Sequence, residues 1–433
     1  MPSVPFPSQS DEKSSQFRCN DPYKNSSGHA ELHAELDASN IKVTLTSNPK
    51  VVPETGSPEQ LSQKVCSDHM VSATWTIEKG WTRPEITPYG PLALMPTANV
   101  LHYATECFEG MKLYRGLDGR LRLFRPYANC VRMTNSAQRI SLPGFDPQAL
   151  LKMIRRLCAL DGPKWLPKDR LGSFLYIRPA MIGTDSCLGF EVPKEALLYV
   201  IISYWPQPAQ AKEGKGLRLF ASRQDELRAW PGGTGNAKIG PNYGPALLAH
   251  GEAKRHGYDQ VLWLFGDDCQ ITEAGSSNVF VIRRVQGGNL QMITAPLEQK
   301  TILAGVTRQS VLDLAQERFA VTRDVDTENT DFKFVEALEV VERNFTMGEL
   351  LVDLKEGNFG SIFVVGTAAF VTAVSQINFR GQEIYLDTEG TPHVSLLQQW
   401  LYDIMYGKEP SDWVETIEET EKGLSVSSES RVE

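Results

Sequence analysis

Between Trp205 and Gly216 the chain reads Trp-Pro-Gln-Pro-Ala-Gln-Ala-Lys-Glu-Gly-Lys-Gly, a polar stretch whose prolines and glycines can sustain neither a helix nor a central strand. It is the clearest internal break in 433 residues, and it divides the chain into two foldable parts. On its N-terminal side, the alternation in Ile41-Lys-Val-Thr-Leu-Thr and Val71-Ser-Ala-Thr-Trp-Thr-Ile predicts strands. Asp146-Pro-Gln-Ala-Leu-Leu-Lys-Met-Ile opens a helix with an acid at the N-cap and proline at the first helical position. Residues Ser173 to Ile182 and Ala196 to Tyr204 read as buried strands. On the C-terminal side, strands and helices alternate up to a helix over Ser395 to Tyr406. The longest apolar run, Ile362 to Val374, is interrupted by Gly366 and threonines and reads as strand, turn and strand. The expected organisation is a polar N-terminal tail over 1–40, a small α+β domain over 41–204, a linker over 205–216, a larger domain over 217–414 and an acidic, disordered tail over 415–433.

Composition excludes several classes of function. A net charge of −9 without a compensating Lys/Arg cluster argues against a nucleic-acid partner, and no run is long enough for a membrane span. Seven cysteines, at 19, 66, 107, 130, 158, 187 and 269, have no paired spacing and point to a reducing compartment. His29 and His33 stand four apart but within the repeat His-Ala-Glu-Leu-His-Ala-Glu-Leu of a polar tail, so no metal site is expected. The first 40 residues lack the arginine-rich amphipathic face of a mitochondrial presequence, which points to the cytosol.

Lys238 is the feature that carries chemistry. It lies in Trp230-Pro-Gly-Gly-Thr-Gly-Asn-Ala-Lys-Ile-Gly-Pro-Asn-Tyr-Gly, where glycines permit close backbone approach and a crowded pocket would favour the neutral amine that imine chemistry needs. In Ile271-Thr-Glu-Ala-Gly-Ser-Ser-Asn-Val-Phe-Val-Ile, Glu273 alone reads as a turn residue. Beside a lysine of that kind it reads as the acid that keeps a pyridine nitrogen protonated. Gly305, Val306 and Thr307 run into an apolar helical pattern (Val311, Leu312, Leu314, Ala315), and their amides would form a phosphate site at a helix N-terminus. A fourth small-residue turn, Gly366-Thr-Ala-Ala, follows the strand-like Ser361 to Val365.

Together with His102-Tyr-Ala-Thr-Glu-Cys-Phe-Glu-Gly-Met-Lys and Asn242-Tyr-Gly-Pro, these motifs resemble the branched-chain amino-acid aminotransferases, from about Ile41 to about Trp413. The resemblance implies a two-domain fold type IV enzyme with pyridoxal 5′-phosphate in the interdomain cleft, working as a homodimer on an L-amino acid and a 2-oxo acid. Lys238 would hold the cofactor as a Schiff base and then move the proton between substrate Cα and C4′. Tyr243 would meet the 3′ oxygen and Glu273 the pyridine nitrogen. Arg132, Arg228, Val306, Thr307 and Thr367 would hold the phosphate. Tyr103 and Arg178, with amides of Thr367 and Ala368, would take the α-carboxylate, while Phe108 and Tyr176 would wall the side-chain pocket. From the residues alone, Phe108 and Tyr176 read equally as core aromatics on half-buried strands.

The departures from the family pattern concern the pocket. Cys66-Ser-Asp-His-Met lacks the preceding aromatic common in the family, and in Gly275-Ser-Ser-Asn a serine, Ser277, replaces a methionine. Gly183-Thr-Asp-Ser-Cys-Leu-Gly-Phe places the bulkier Phe190 on a loop that would reach the partner's pocket. Such swaps reorder substrates without abolishing any, since a methylene of fit discriminates by about 1 to 3 kcal/mol. Ala369-Phe-Val-Thr stands where some animal members carry a Cys-x-x-Cys, so no thiol switch is expected there. D-amino-acid or (R)-amine transamination on the same fold, a lyase acting on an aminodeoxychorismate-like substrate, and a non-catalytic cofactor-binding homologue are the alternatives that the motifs leave open.

Overall fold

The computed structural model of the chain describes residues 34–206, 216–285, 288–320, 323–324, 334–388 and 391–419. Two large sheets organise them. In the first, Cys66–Thr76 pairs antiparallel with Glu195–Ser203, which pairs with Phe174–Gly183, which in turn carries Met111–Arg115. Side chains alternate between faces along a strand. One face therefore sends Val71, Leu113, Leu175, Ile177 and Val200 into a core under the helices Pro126–Arg139 and Pro147–Trp165. The second helix starts as its sequence requires, with the Asp146 side chain accepting from Gln148 N and Pro147 in the first turn. The opposite face sends Tyr114, Phe124 and Phe174 into a second core shared with Phe280, Phe363, Leu397 and Tyr406 of the C-terminal half. The two halves are thus joined by packed aromatic surface.

The second sheet is mixed. Leu217–Ala221 lies parallel between Gln260–Phe265 and Phe370–Phe379. Phe359–Gly366 pairs antiparallel with Phe370–Phe379 and with Ser277–Arg284, which confirms the strand, turn and strand over 362–374. The helices Ala246–Arg255, Val306–Arg318, Met347–Glu356 and Pro392–Tyr406 belong to this half, the last beginning three residues earlier than the sequence pattern suggests.

Both ends of the folded chain correct the sequence reading. The N-terminal tail was expected to run to residue 40, yet Leu36 and Ala38 are buried in the first core and Ala34 bridges Gly80. A Cβ at Gly80 would fall 2.4 Å from Ala34 O, so only glycine admits this approach. At the other end, disorder was expected from 415. Instead Val414–Ile417 forms an edge strand paired with Leu121–Phe124. Ile417 is buried in the first core, Glu415 pairs with Arg155, and Glu419 meets the fully buried Arg115. Acidity in that segment matches basic partners that lie far away in sequence. Residues 1–33, 207–215 and 420–433, where the rest of the tails and most of the linker were placed, lie outside the described residues.

Candidate active site

The glycine-rich segment does what its composition suggests. It lies along the edge of the Glu106–Phe108 strand, with Phe108 N donating to Lys238 O at 3.0 Å and Cys107 bridging Ile239. A Cβ at Gly240 would sit 2.0 Å from Glu106 Oε1, so glycine at this position leaves room for the Glu106 side chain as it stands. Lys238 N donates to Ser136 Oγ at 2.8 Å, which ties the segment to the Pro126–Arg139 helix.

The Lys238 ammonium lies 3.0 Å from Tyr243 Oη and 4.8 Å from the centroid of Phe108. Burial, reinforced by the charge of Arg132, draws its pKa from 10.5 down to about 8. Burial pushes the Tyr243 phenol up to about 12, so it remains a donor. Phe108 packs against Tyr243 at 4.8 Å, and Arg178 stacks over Phe108 at 4.7 Å with Nη2 3.5 Å from Tyr176 Oη. A Cβ at Gly110 would overlap that Tyr176 hydroxyl at 2.0 Å, so Gly110 is what lets Tyr176 stand there.

Glu273 is the penultimate residue of the Gln270–Ala274 strand and is fully buried. Its Oε1 accepts from Leu303 N at 3.0 Å and from Asn278 Nδ2 at 3.2 Å. Its Oε2 lies 2.6 Å from Arg228 Nε but out of line for a hydrogen bond, so a buried acceptor remains open. Burial raises the Glu273 pKa even against Arg228. Glu109 behaves oppositely. It too is fully buried, which works against its charge, but Arg132 grips it through Nε at 2.6 Å and Nη2 at 2.8 Å and holds the carboxyl below its ordinary range. Alignment separates the two acids.

Beside these groups the Val306–Arg318 helix starts at Gly305 without a side-chain cap, leaving amides at Val306 and Thr307 free for an anion. Thr367 Oγ1 reaches Gly110 O at 3.5 Å across the seam between the halves. Val306, Thr307, Gly366 and Thr367 line one cavity with Gly110 and Lys112.

Lys238, Tyr243, Phe108, Tyr176 and Arg178 therefore converge, as do Glu273, Arg228, Val306, Thr307 and Thr367. Ala368 is exposed on the turn beside Thr367, and a Cβ on Gly366 would meet Ser277 Oγ at 3.0 Å, which places Ser277 against that turn. Cys66 is buried two strands from Tyr176, since Ser203 is the register partner of both. Two residues stand apart. Tyr103 Oη donates to Leu188 O at 2.5 Å and its ring packs on Phe190 at 5.6 Å, while Phe190 is 90% exposed. Sequence reasoning gave no role to Glu109, Asn129 or Asn278, which fix Arg132 and Glu273, nor to Trp205, which stacks on Tyr176 at 4.8 Å. Glu109 sits inside the quoted Phe-Glu-Gly-Met-Lys motif, where an acid between an aromatic and a glycine was the available signal.

Residues 106–377 match the amino-transferase class IV family. The branched-chain-amino-acid aminotransferase, mitochondrial, of Schizosaccharomyces pombe is 40% identical over 416 residues, covering 95% of this chain and 92% of the relative. The cytosolic branched-chain-amino-acid aminotransferase of Saccharomyces cerevisiae is 43% identical over 387 residues, covering 88% and 97%. Among solved structures, the branched-chain amino acid aminotransferase of Thermobaculum terrenum in its PLP-form superposes with a TM-score of 0.58 at 22% identity, covering 80% of this chain and 98% of its own. That last likeness is one of fold.

Proposed function

This chain belongs to the branched-chain amino-acid aminotransferases of class IV, and on that premise we propose how its residues transfer an amino group from L-leucine, L-isoleucine or L-valine to 2-oxoglutarate. The supporting observation is the convergence, at the seam between two sheets, of Lys238 on Tyr243 with Glu273 on Arg228.

The residues fit pyridoxal 5′-phosphate, the cofactor named for the Thermobaculum terrenum structure. The open acceptor on buried Glu273 suits a pyridine N–H, the uncapped amides at Val306 and Thr307 suit a phosphate, and Lys238 lies close to its neutral form. When bound, the cofactor supplies an electron sink for the charge that develops at the substrate Cα. Lys238 would hold it covalently through its amine and, once freed, would move the proton to and from the substrate Cα. Tyr243 donates to the 3′ oxygen, and Glu273 holds the proton on the pyridine nitrogen. Arg132, Arg228, Thr307, Thr367 and the Val306 amide orient the phosphate. Arg178, with the amides of Thr367 and Ala368, takes the α-carboxylate, and Phe108 and Tyr176 exclude water from the side chain.

Tyr103 and Phe190 act in the neighbouring site of a homodimer. The packing of the Tyr103 ring on Phe190, which is 90% exposed, supports this, as do exposed Met95, Leu101 and Leu188. Side-chain preference has moved: Cys66 vacates space that Phe190 of the partner subunit refills, and Ser277 widens the approach to the 366–368 turn. The small domain comprises 41–204, extended by the segments around Leu36 and Ile417, and the large domain 217–414, with their boundary in 205–216. Relatives are named both cytosolic and mitochondrial.

The test is a half-reaction titration. L-leucine, L-valine, L-phenylalanine, D-alanine and (R)-1-phenylethylamine are added separately to purified holoenzyme while the visible absorbance of the bound cofactor is followed. Rapid loss with L-leucine or L-valine is the expected result, with margins between substrates that differ from those of ordinary members. Conversion only by the D-amino acid or the amine overturns the substrate assignment. A protein that takes up no cofactor overturns the enzyme reading.

A further inference from the structure

Lys112 is a buried lysine without a partner. It lies on the Met111–Arg115 strand with the residue 6% exposed, and no described residue forms a hydrogen bond or ion pair with it. Its Nζ lies over the face of Phe174, 4.0 Å from the ring centroid. Buried ammonium groups ordinarily acquire a carboxylate, and this one has none.

The charges around the cleft suggest why. Both arginines assigned to the phosphate are each matched by a buried carboxylate, Arg132 by Glu109 and Arg228 by Glu273. Arg178 faces the aromatic wall of Phe108 and Tyr176 instead. A phosphate dianion entering this cleft would thus meet two guanidinium groups already neutralised, and the helix amides contribute only partial charge. Lys112 is the one charged side chain among the described residues lining the cavity that also holds Val306, Thr307, Gly366 and Thr367. It reaches that cavity from the first sheet together with Gly110, while Val306 and Thr307 of the helix N-terminus line it from the C-terminal half.

We propose that Lys112 is a phosphate-binding residue of the cofactor site, supplying the positive charge that the two paired arginines do not. This rests on the functional reading above and extends it to a residue of the first sheet. Burial alone lowers the Lys112 pKa to about 8; Tyr114 on its own strand and Tyr176 in register opposite bear no carboxylate, and the Glu109 carboxylate is committed to Arg132. An arriving phosphate would restore the proton.

The experiment compares binding of pyridoxal phosphate and of pyridoxal, which lacks the phosphate, to cofactor-free wild type, Lys112→Met and Lys112→Arg. Each protein's melting temperature is first recorded without ligand. Loss of one charge-assisted contact should weaken pyridoxal phosphate binding to Lys112→Met about 10- to 100-fold, with pyridoxal binding unchanged and Lys112→Arg close to wild type. Equal affinities in wild type and Lys112→Met, or equal losses for both ligands, overturn the proposal and leave Lys112 as packing. Wild type that binds pyridoxal phosphate no better than pyridoxal overturns the functional reading itself. If Lys112→Met fails to fold, calorimetry of inorganic phosphate binding to cofactor-free Lys238→Ala at pH 8.5 decides. Proton uptake, read from two buffers of different ionisation heat, supports the assignment, and its absence overturns it.

Discussion

At the scale of single residues, Lys238 trades stability for reactivity, and the trade can be read with pH. Its ordinary pKa of 10.5 falls to about 8 in the fold, so between those values the unfolded chain holds a proton that the native state has released. Stability contributed at this site therefore rises as pH increases from about 8 to 10.5 and is lowest below 8. In cofactor-free protein, thermal melts across that window are expected to climb more steeply for wild type than for Lys238→Met. Capture of pyridoxal phosphate should follow the neutral amine, with a rate midpoint near pH 8. A midpoint near 10.5 would mean that the cleft does not tune the lysine. Glu109 and Glu273 make the same lesson sharper: two fully buried acids, each beside an arginine, have pKa values moved in opposite directions because only one pair is aligned.

At the scale of elements, the Val414–Ile417 strand is the clearest dependency. Truncation before residue 414 removes Ile417 from the first core, uncovers the edge at Leu121–Phe124 and leaves Arg115 buried without Glu419. Loss of the isoleucine burial alone should cost about 1.5–3 kcal/mol, visible as a lower urea midpoint than full-length protein. The milder Ile417→Ala should fall between the two. Sequence periodicity located most elements, because the alternation in Ser173–Ile182 and the cap at Asp146 are local signals. It missed this strand because four residues in an acidic, serine-rich context carry no local signature, and what fixes them is arginine side chains about 260 to 300 residues away in the chain. The site divides in the same way. Lys238, Tyr243 and Glu273 were legible because glycines and small residues crowd around each. Glu109, Asn129 and Trp205 were not, because their roles arise only from tertiary contacts, Glu109 with Asn129 and Arg132 and Trp205 with Tyr176, that no local pattern encodes.

At the scale of the whole molecule, exposed apolar surface gathers where a second copy would dock. Phe190 is 90% exposed, with Met95, Leu101 and Leu188 also open to solvent, and Asn99 N bonded to Asp185 O ties their two segments together. Sedimentation of wild type is expected to show a dimer, and Phe190→Asp should shift it toward monomer at micromolar concentration and slow turnover of leucine. A Phe190→Asp protein that stays dimeric and keeps its substrate order would place the loop outside the interface. The C-terminal strand has one further consequence here. Because it returns to the first sheet, the chain crosses between the halves twice, once through 205–216 and once between Tyr406 and Val414. Two bodies held by a single tether can swivel about it; held by two, they keep chiefly the rotation about the line that joins both crossings. Here the two crossings act together with the packing of Tyr114, Phe124 and Phe174 against Phe280, Phe363 and Tyr406, so the seam that carries the cleft is fastened by chain connectivity as well as by side chains.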